Sequence, residues 1–430
     1  MNGRVVIVNG RLFDPATGRD ETADLLIEDG RLAGSGRGLP RAGAALIDAA
    51  GLLVVPGLID VHVHLREPGQ EYKETVATGA AAAVAGGVTS VACMANTLPP
   101  NDDPAITEFI RKQAAAAGLA RVYPIGALTK KLEGQEIAEY GLQREAGVVA
   151  LSDDGRPVMD SEVFRRALEY ARAFDLVVVS HCEDLGLSRG GSMHEGPVST
   201  ELGLPGIPAA AEEVMVRRDL ALAELTGARL HVAHVSTAGA VAAIREAKRR
   251  GVRVTAETAP HYFTLTHEAV RGYDVNAKMN PPLREAADRD AVIAGLADGT
   301  IDVIASDHAP HHQDDKQVEF PRSANGILGL ETELGLTLAL VRAGRLPLGQ
   351  ALAALTVRPA ELFGLPGGRL AEGAPADLAL IDADGESDVD PARLRSRSRN
   401  TPFAGWRLPG RVVATLVGGR VVYEGERRRA

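Results

Sequence analysis

GLIDVHVHLREPG, residues 57–69, sets His62 and His64 in an otherwise apolar run with only Val63 between them. Leu58, Ile59, Val61, Val63 and Leu65 read as a β-strand in a core. Residues two apart on a strand share a face, so Asp60, His62 and His64 are expected on one side and Val61 and Val63 on the other. A buried imidazole without a partner is costly. Two on one face either direct their lone pairs at one metal ion or bond separately to backbone and carboxylate. The H-x-H spacing leaves both readings open.

Outward from that strand, apolar strands alternate with helical stretches to about residue 344. Expected strands are 58–65, 89–95, 121–127, 147–153, 176–181, 229–235, 252–258 and 301–306. The helices between and after them are 74–85, 104–117, 134–145, 161–173, 209–226, 238–250, 285–297 and 329–343. Eight such βα units predict an α/β fold, a (β/α)8 TIM-type barrel over residues 55–365, with an open doubly wound sheet as the alternative. Segments 4–8, 24–28, 45–55, 377–382, 411–417 and 420–424 read as further strands, with Asn9-Gly10, Asp29-Gly30 and Gly418-Gly419 as turns. Residues 1–54 and 366–430 are therefore expected to pair into a small composite β-sandwich domain.

The composition of the 430 residues narrows the function. A hydrophobic fraction of 45% supports a large core. Only 4% are aromatic, the net charge is −10, and no long basic run occurs outside the short RRRA tail, which argues against nucleic acid and anionic membranes. Cys93 and Cys182 suggest no disulfide framework, and no signal-peptide or membrane-length apolar run occurs. The expectation is a cytoplasmic protein.

In a barrel, chemistry collects at the C-terminal ends of the strands. There the sequence places Asp153 and Asp154 on strand four, His181 on strand five, and His231 and His234 on strand six. Strand eight adds Asp307, His308, His311 and His312. On strand six, Val232 and His234 are expected to share a face, making His234 the inward candidate and leaving His231 toward the helices or behind the ligands. Asp60 is expected to orient a ligand histidine through its ring N–H or to be satisfied by backbone. Such a set of imidazoles and carboxylates suits two Zn²⁺ ions, with Mn²⁺ or Co²⁺ as substitutes. A divalent ion acidifies water, and Asp307 is placed to accept its proton and return it to a leaving group, as in amide hydrolysis.

The ordered motifs DVHVHLREPG, SHCED, HVAHVST, TAETAPHY, KMNPPLR, ASDHAPH and NTPFAGW give the chain a clear likeness. It resembles the amidohydrolase superfamily and, within it, the bacterial class I dihydroorotases, over nearly its whole length. The resemblance implies metal ligation by His62, His64, Asp154, His181, His234 and Asp307, with Asp154 bridging two ions where many relatives carry a carbamylated lysine. It implies Asp307 as the catalytic base. It implies contacts to the substrate, an α-carboxylate included, by His64, Arg66, Asn96 and His311, with further contacts by Asn280, Asn325 and Gly326. The planar fork of Arg66 suits a carboxylate. Two departures stand out: Ala95 replaces a common Pro, and Ala324-Asn325-Gly326 replaces a common Pro-Phe-Gly.

The activity so implied is the interconversion of N-carbamoyl-L-aspartate and L-dihydroorotate in pyrimidine synthesis. Expected partners are the small-molecule substrate, a second copy in a homodimer, and an aspartate transcarbamoylase. The alternatives are a hydantoinase or allantoinase, whose substrates need no carboxylate clamp, and a non-catalytic subunit scaffolding a transcarbamoylase.

Overall fold

The computed structural model describes residues 3–426, so the RRRA tail, residues 427–430, lies outside the described residues. The eight expected barrel strands are Leu58–Val63, Val88–Cys93, Arg121–Pro124, Ala150–Ser152, Val177–Ser180, Leu230–Val232, Val254–Thr258 and Val303–Ile304. They pair in parallel as a set of three and a set of five. Parallel bridges Gly126–Leu151 and Val63–His308 join the two sets into a closed barrel. Both faces of most strands are buried, which explains their nearly continuous Val, Ile and Ala content.

Helices Val76–Ala85, Pro104–Ala117, Ser161–Ala173, Ala210–Thr226, Ala238–Arg249 and Ala286–Asp298 agree with the expected spans. Local chemistry starts and stops them. Thr75, Asp103, Asp160 and Thr237 cap N-termini with their side chains, and Gly118 ends its helix in the left-handed conformation. The expected helix at 134–145 begins only at Tyr140, because Gly134 has φ +69° and a bridge between Thr129 and Ile137 closes a loop there. The last expected helix begins at Glu333 rather than at residue 329. Two helices not foreseen, Leu348–Leu355 and Val357–Phe363, follow it. Leu362, Phe363 and Leu365 plug the barrel interior, packing with Ile59, Val61, Val177, Val179, Val303 and Ala305.

The two ends of the chain build one mixed sheet. Its order is Arg420–Glu424, Arg407–Val417, Leu378–Asp388, Leu53–Pro56, Arg4–Asp14, Arg19–Glu28, Arg31–Gly36, with Ala44–Asp48 paired to Arg4–Asp14. Ile7, Leu12, Leu25 and Ile27 from its N-terminal strands share a core with Leu378, Leu380 and Leu416 from its C-terminal ones. Asp29-Gly30 and Gly418-Gly419 are tight turns, all four residues at positive φ. Asn9-Gly10 is not a turn. Asn9 has φ 62°, the pairing shifts register between Ile7 and Gly10, and the strand runs on to Asp14. The expected strand at 45–55 is two strands, split at a turn where Gly51 takes φ +75°.

Candidate active site

His62 and His64 reach the barrel mouth, but not by simple alternation. Val61 packs with Ile59 in the barrel interior, whereas Val63 packs on the helix side. Pairing with the second strand slips between Asp60 and Val63, and that irregularity re-aims the side chains. Strand six corrects the parity reading too. Val232 belongs to the helix-side core, and His231 is buried behind the site, with Nδ1 2.8 Å from Thr255 Oγ1 and Nε2 3.2 Å from Glu257. His234 reaches the centre because its own φ is 36°, beyond the end of the regular strand. Asp307 (φ 50°) and Arg66 (φ 62°) likewise sit in the left-handed region, where non-glycine residues are uncommon and often functional.

Around Asp154 the centre is tight. Asp154 Oδ1 lies 3.6 Å from His62 Nε2, 3.6 Å from His181 Nδ1 and 3.4 Å from His234 Nε2. Asp154 Oδ2 is 3.7 Å from His64 Nε2. Asp307 Oδ1 is 3.1 Å from His64 Nε2 and 3.5 Å from His62 Nε2. His181 Nδ1 and His234 Nε2 are 2.8 Å apart. Two sets, His62 with His64 and Asp307, and His62 with Asp154 and His234, each bring their ligand atoms within 4.8 Å of one another. His62 Nε2 and Asp154 Oδ1 are buried, face each other and have no hydrogen-bond partner. Buried polar atoms are normally satisfied, and this donor set is what a divalent ion takes up. The residues present therefore fit such an ion.

Electrostatics agree. Burial alone would lower the His62 pKa, but Glu257, Asp154 and Asp307 raise it well above the usual histidine value. Burial opposes ionisation of Asp154 too, yet the histidines hold it well below the carboxylate range, and Asp307 is lowered in the same way. The field that draws a proton to this centre also draws a cation.

Behind the centre stand carboxylates that were not anticipated. Glu257 Oε1 accepts from His62 Nδ1 at 2.5 Å, which leaves Nε2 of that ring as the lone pair facing the centre. Glu183 Oε2 lies 2.9 Å from His181 Nε2 and also accepts from Asn280 Nδ2 at 2.9 Å, so His181 presents Nδ1 inward. The available signal was a glutamate inside the apolar seventh strand and another two residues after His181. Asp60 does not orient a ring. It accepts from the backbone N–H groups of His62 (3.0 Å) and Ser306 (3.2 Å), tying strand one to strand eight. Asp153 turns away, accepting from Leu128 N, Thr129 N and the Thr129 hydroxyl.

Of the expected substrate residues, Asn96 adjoins the centre through His64 and the Asp154 carbonyl, and Arg66 and His311 adjoin each other. Asn96 takes His64 Nδ1 on Oδ1 at 3.0 Å and donates from Nδ2 to the Asp154 carbonyl at 3.3 Å. Arg66 is buried, donates from Nε to the Pro310 carbonyl at 3.2 Å, and has no carboxylate in ion-pair range among the described residues. Burial pushes its pKa down to about 10. His311 Nε2 lies 2.7 Å from the Asn325 carbonyl, and its Nδ1 is buried without a partner. Gly326 has φ +120°, and a Cβ there would stand 2.5 Å from Ala309 Cβ. The Asn325 side chain is exposed, and only its carbonyl joins the network. His308 bonds Glu74 and Gly329 N instead of the centre, and the half-buried His312 lies beside Asp314. Lys130 pairs with Glu136 on the surface. A further group, His194, His267 and Glu285, is not a cation cage: Arg284 Nη1 donates to His194 Nδ1 at 3.3 Å, placing the ring proton on the nitrogen facing Glu285.

Comparison with known proteins gives consistent matches. A dihydro-orotase-like family model matches residues 51–240, and an amidohydrolase family model matches residues 207–423. The dihydroorotase of Syntrophotalea carbinolica is 60% identical, covering 98% of this chain and 99% of that one. The dihydroorotase of Anaeromyxobacter sp. (strain K) is 58% identical over 99% of both. Among solved structures, L-hydantoinase (dihydropyrimidinase) from Arthrobacter aurescens superposes with a TM-score of 0.87 at 28% identity, over 98% of this chain and 96% of that one. Dihydropyrimidinase from Brevibacillus agri gives 0.84 at 26% identity, covering 98% and 95%.

Proposed function

The chain belongs to the dihydroorotase family of amidohydrolases, and from that premise we propose that it interconverts N-carbamoyl-L-aspartate and L-dihydroorotate, a step of pyrimidine synthesis. The observation that carries the reading beyond a general cyclic amidase is Arg66. A buried guanidinium with no carboxylate of its own, beside a metal-type centre, suits a ring that brings the carboxylate. A hydantoin ring supplies none.

His62, His64, Asp154 and Asp307 would hold one divalent ion, and Asp154, His181 and His234 a second; Zn²⁺ suits the mixed imidazole and carboxylate donors. When bound, such an ion supplies an acidified water and a polarised amide carbonyl. The remaining work falls to the chain. Asp307 takes the proton of the attacking water and delivers it to the ring nitrogen as the C–N bond breaks. In the closing direction the carbamoyl nitrogen bonds to the side-chain carboxyl carbon, water leaves, and Asp307 carries the proton back. Arg66, Asn96 and His311 fix the carboxylate end, and His64, Asn280 and the Asn325-Gly326 backbone border the ring. We further propose two units, a barrel over residues 57–365 and a composite β-unit over 3–56 with 366–426; the expected boundary after residue 54 shifts because Leu53–Pro56 is a strand of the composite sheet.

No described helix is long and apolar enough to cross a membrane, and Cys93 and Cys182 are buried and unpaired, in keeping with a reducing cytoplasm. A homodimer and association with an aspartate transcarbamoylase are part of the same proposal. Asp307→Asn tests the chemistry. The variant should keep its fold and lose about 10²- to 10⁴-fold in kcat for dihydroorotate. Near-normal turnover would move the proton shuttle elsewhere.

A further inference from the structure

The segment from Ala309 to Ile327 carries His311, Asn325 and Gly326, and it departs from the usual family wording at Ala324-Asn325-Gly326. It has almost no regular structure beyond the short helix Gln313–Lys316, so something else must define its path. That something is a buried ammonium. Lys316 is 3% exposed, and its Nζ donates to the carbonyls of Ala324 (2.8 Å), Gly326 (3.2 Å) and Lys278 (3.4 Å). Three N–H donors thus meet three backbone acceptors. Lys278, also buried, donates to the Pro321 and Ser323 carbonyls at 2.9 and 2.7 Å, and its own carbonyl accepts from Gly326 N at 2.9 Å. Neither ammonium has a carboxylate in ion-pair range among the described residues; Asp315, next in sequence to Lys316, is engaged by Lys73 instead. Burial pushes Lys316 down to about 7, with the Lys278 charge acting in the same direction.

Burying two like charges on backbone carbonyls is an expensive way to make a loop. A neutral apolar core would be cheaper, so the arrangement calls for a return elsewhere. The Ala324 and Gly326 carbonyls that Lys316 holds flank Asn325, whose carbonyl fixes His311 Nε2 at 2.7 Å. His311 is in turn 3.3 Å from Arg66 Nη2. From the other side, Asn400 donates to the Ala309 and Gly326 carbonyls at 3.0 Å each and accepts from His311 N at 3.1 Å. The Gly326 carbonyl therefore has a second donor, whereas the Ala324 carbonyl relies on Lys316.

We propose that Lys316 is a positioning residue for the substrate carboxylate: its ammonium fixes the Ala324–Gly326 backbone, which holds the His311 ring beside Arg66. The inference rests on the dihydroorotase reading above. The Lys316 ammonium bonds the Lys278, Ala324 and Gly326 carbonyls and none of the residues of the metal-type centre, so its removal should act on binding and not on the chemical step.

The test is Lys316→Met, which keeps the chain length and removes every N–H donor. Metal content, melting temperature, kcat and KM for L-dihydroorotate, and the inhibition constant of orotate are measured on one preparation. KM and the orotate constant should each rise about tenfold, the scale of one lost buried hydrogen bond, with kcat within about twofold and metal content unchanged. If Lys316→Met does not fold, Lys316→Gln, which retains two donors, should give a smaller rise in the same two constants. Unchanged KM and orotate binding, or a loss confined to kcat, would overturn the role. A wild-type protein without dihydroorotate hydrolysis would sink the activity reading instead, whereas an active wild type with an unaffected variant sinks only Lys316.

Discussion

Glu257→Gln tests the architecture of the centre more sharply than removing any ligand. Glu257 touches no substrate, yet its Oε1 takes the Nδ1 proton of His62 at 2.5 Å and its Oε2 meets His231 Nε2 at 3.2 Å. Burial raises the pKa of a carboxyl in that position, but His62 and His231 hold Glu257 well below the carboxylate range, so it is charged. Glutamine preserves shape. Its oxygen still accepts from His62, and its NH₂ donates to His231 once that ring moves its proton to Nδ1, where the Thr255 hydroxyl accepts it. What disappears is the charge. A charge-assisted hydrogen bond is worth about twice a neutral one, a difference of about 1–2 kcal/mol, or about five- to thirtyfold in the affinity of an ion held by His62. Chelator competition followed by elemental analysis reads that number, and the melting temperature of the stripped protein checks the fold. Metal affinity equal to the wild type would refute the claim that the Glu257 charge strengthens the hold of His62 on an ion.

Three other outcomes follow from the same geometry. Arg66→Lys keeps the charge and loses the planar fork, so KM for dihydroorotate should rise about tenfold with metal content intact; a normal KM would favour a substrate without a carboxylate. Asp154→Ala should lose metal and activity while Asp153→Ala mostly keeps its metal, and stripped wild-type protein should recover with metal alone in CO₂-depleted buffer, since no lysine carbamate is needed; the reverse ranking or a bicarbonate requirement would contradict the assignment. His194 is lowered from 6.5 to about 4 by burial and then by the Arg284 charge, so between those pH values the unfolded chain binds a proton that the folded one refuses. Stability should therefore fall as pH drops from about 6.5 to about 4, and less so in His194→Asn; parallel pH–melting curves for the two proteins would refute this.

How much of this was legible in the sequence depends on the range of the interactions involved. The eight strands and most barrel helices were readable because apolar periodicity and capping residues such as Asp103 and Thr237 act locally. The composite sheet was readable from β-type runs at both ends, although Asn9-Gly10 proved a bulge, since the same dipeptide serves either purpose. The residues proposed as ligands converge in space, but the parity argument behind three of them, His62, His64 and His234, does not hold. Strand one slips register after Asp60, and His234 is aimed by a left-handed φ that no alternation rule foresees. Glu257, Glu183, Lys316 and Asn400 were missed because they act on ligands and loops brought together only by the closed barrel. Glu257 and Glu183 did carry local signs, a charge inside an apolar strand and a carboxylate two residues after His181, whereas Lys316 and Asn400 carried none.

The most direct measurement of the central claim is a substrate comparison on a single purified sample of known metal content. L-dihydroorotate, hydantoin and allantoin are offered in parallel, before and after the metal is stripped and Zn²⁺ returned. The account predicts that dihydroorotate is opened far faster than the other two, that stripping abolishes this, and that Zn²⁺ restores it. Turnover of hydantoin or allantoin in preference to dihydroorotate, or full activity in the stripped protein, would contradict it.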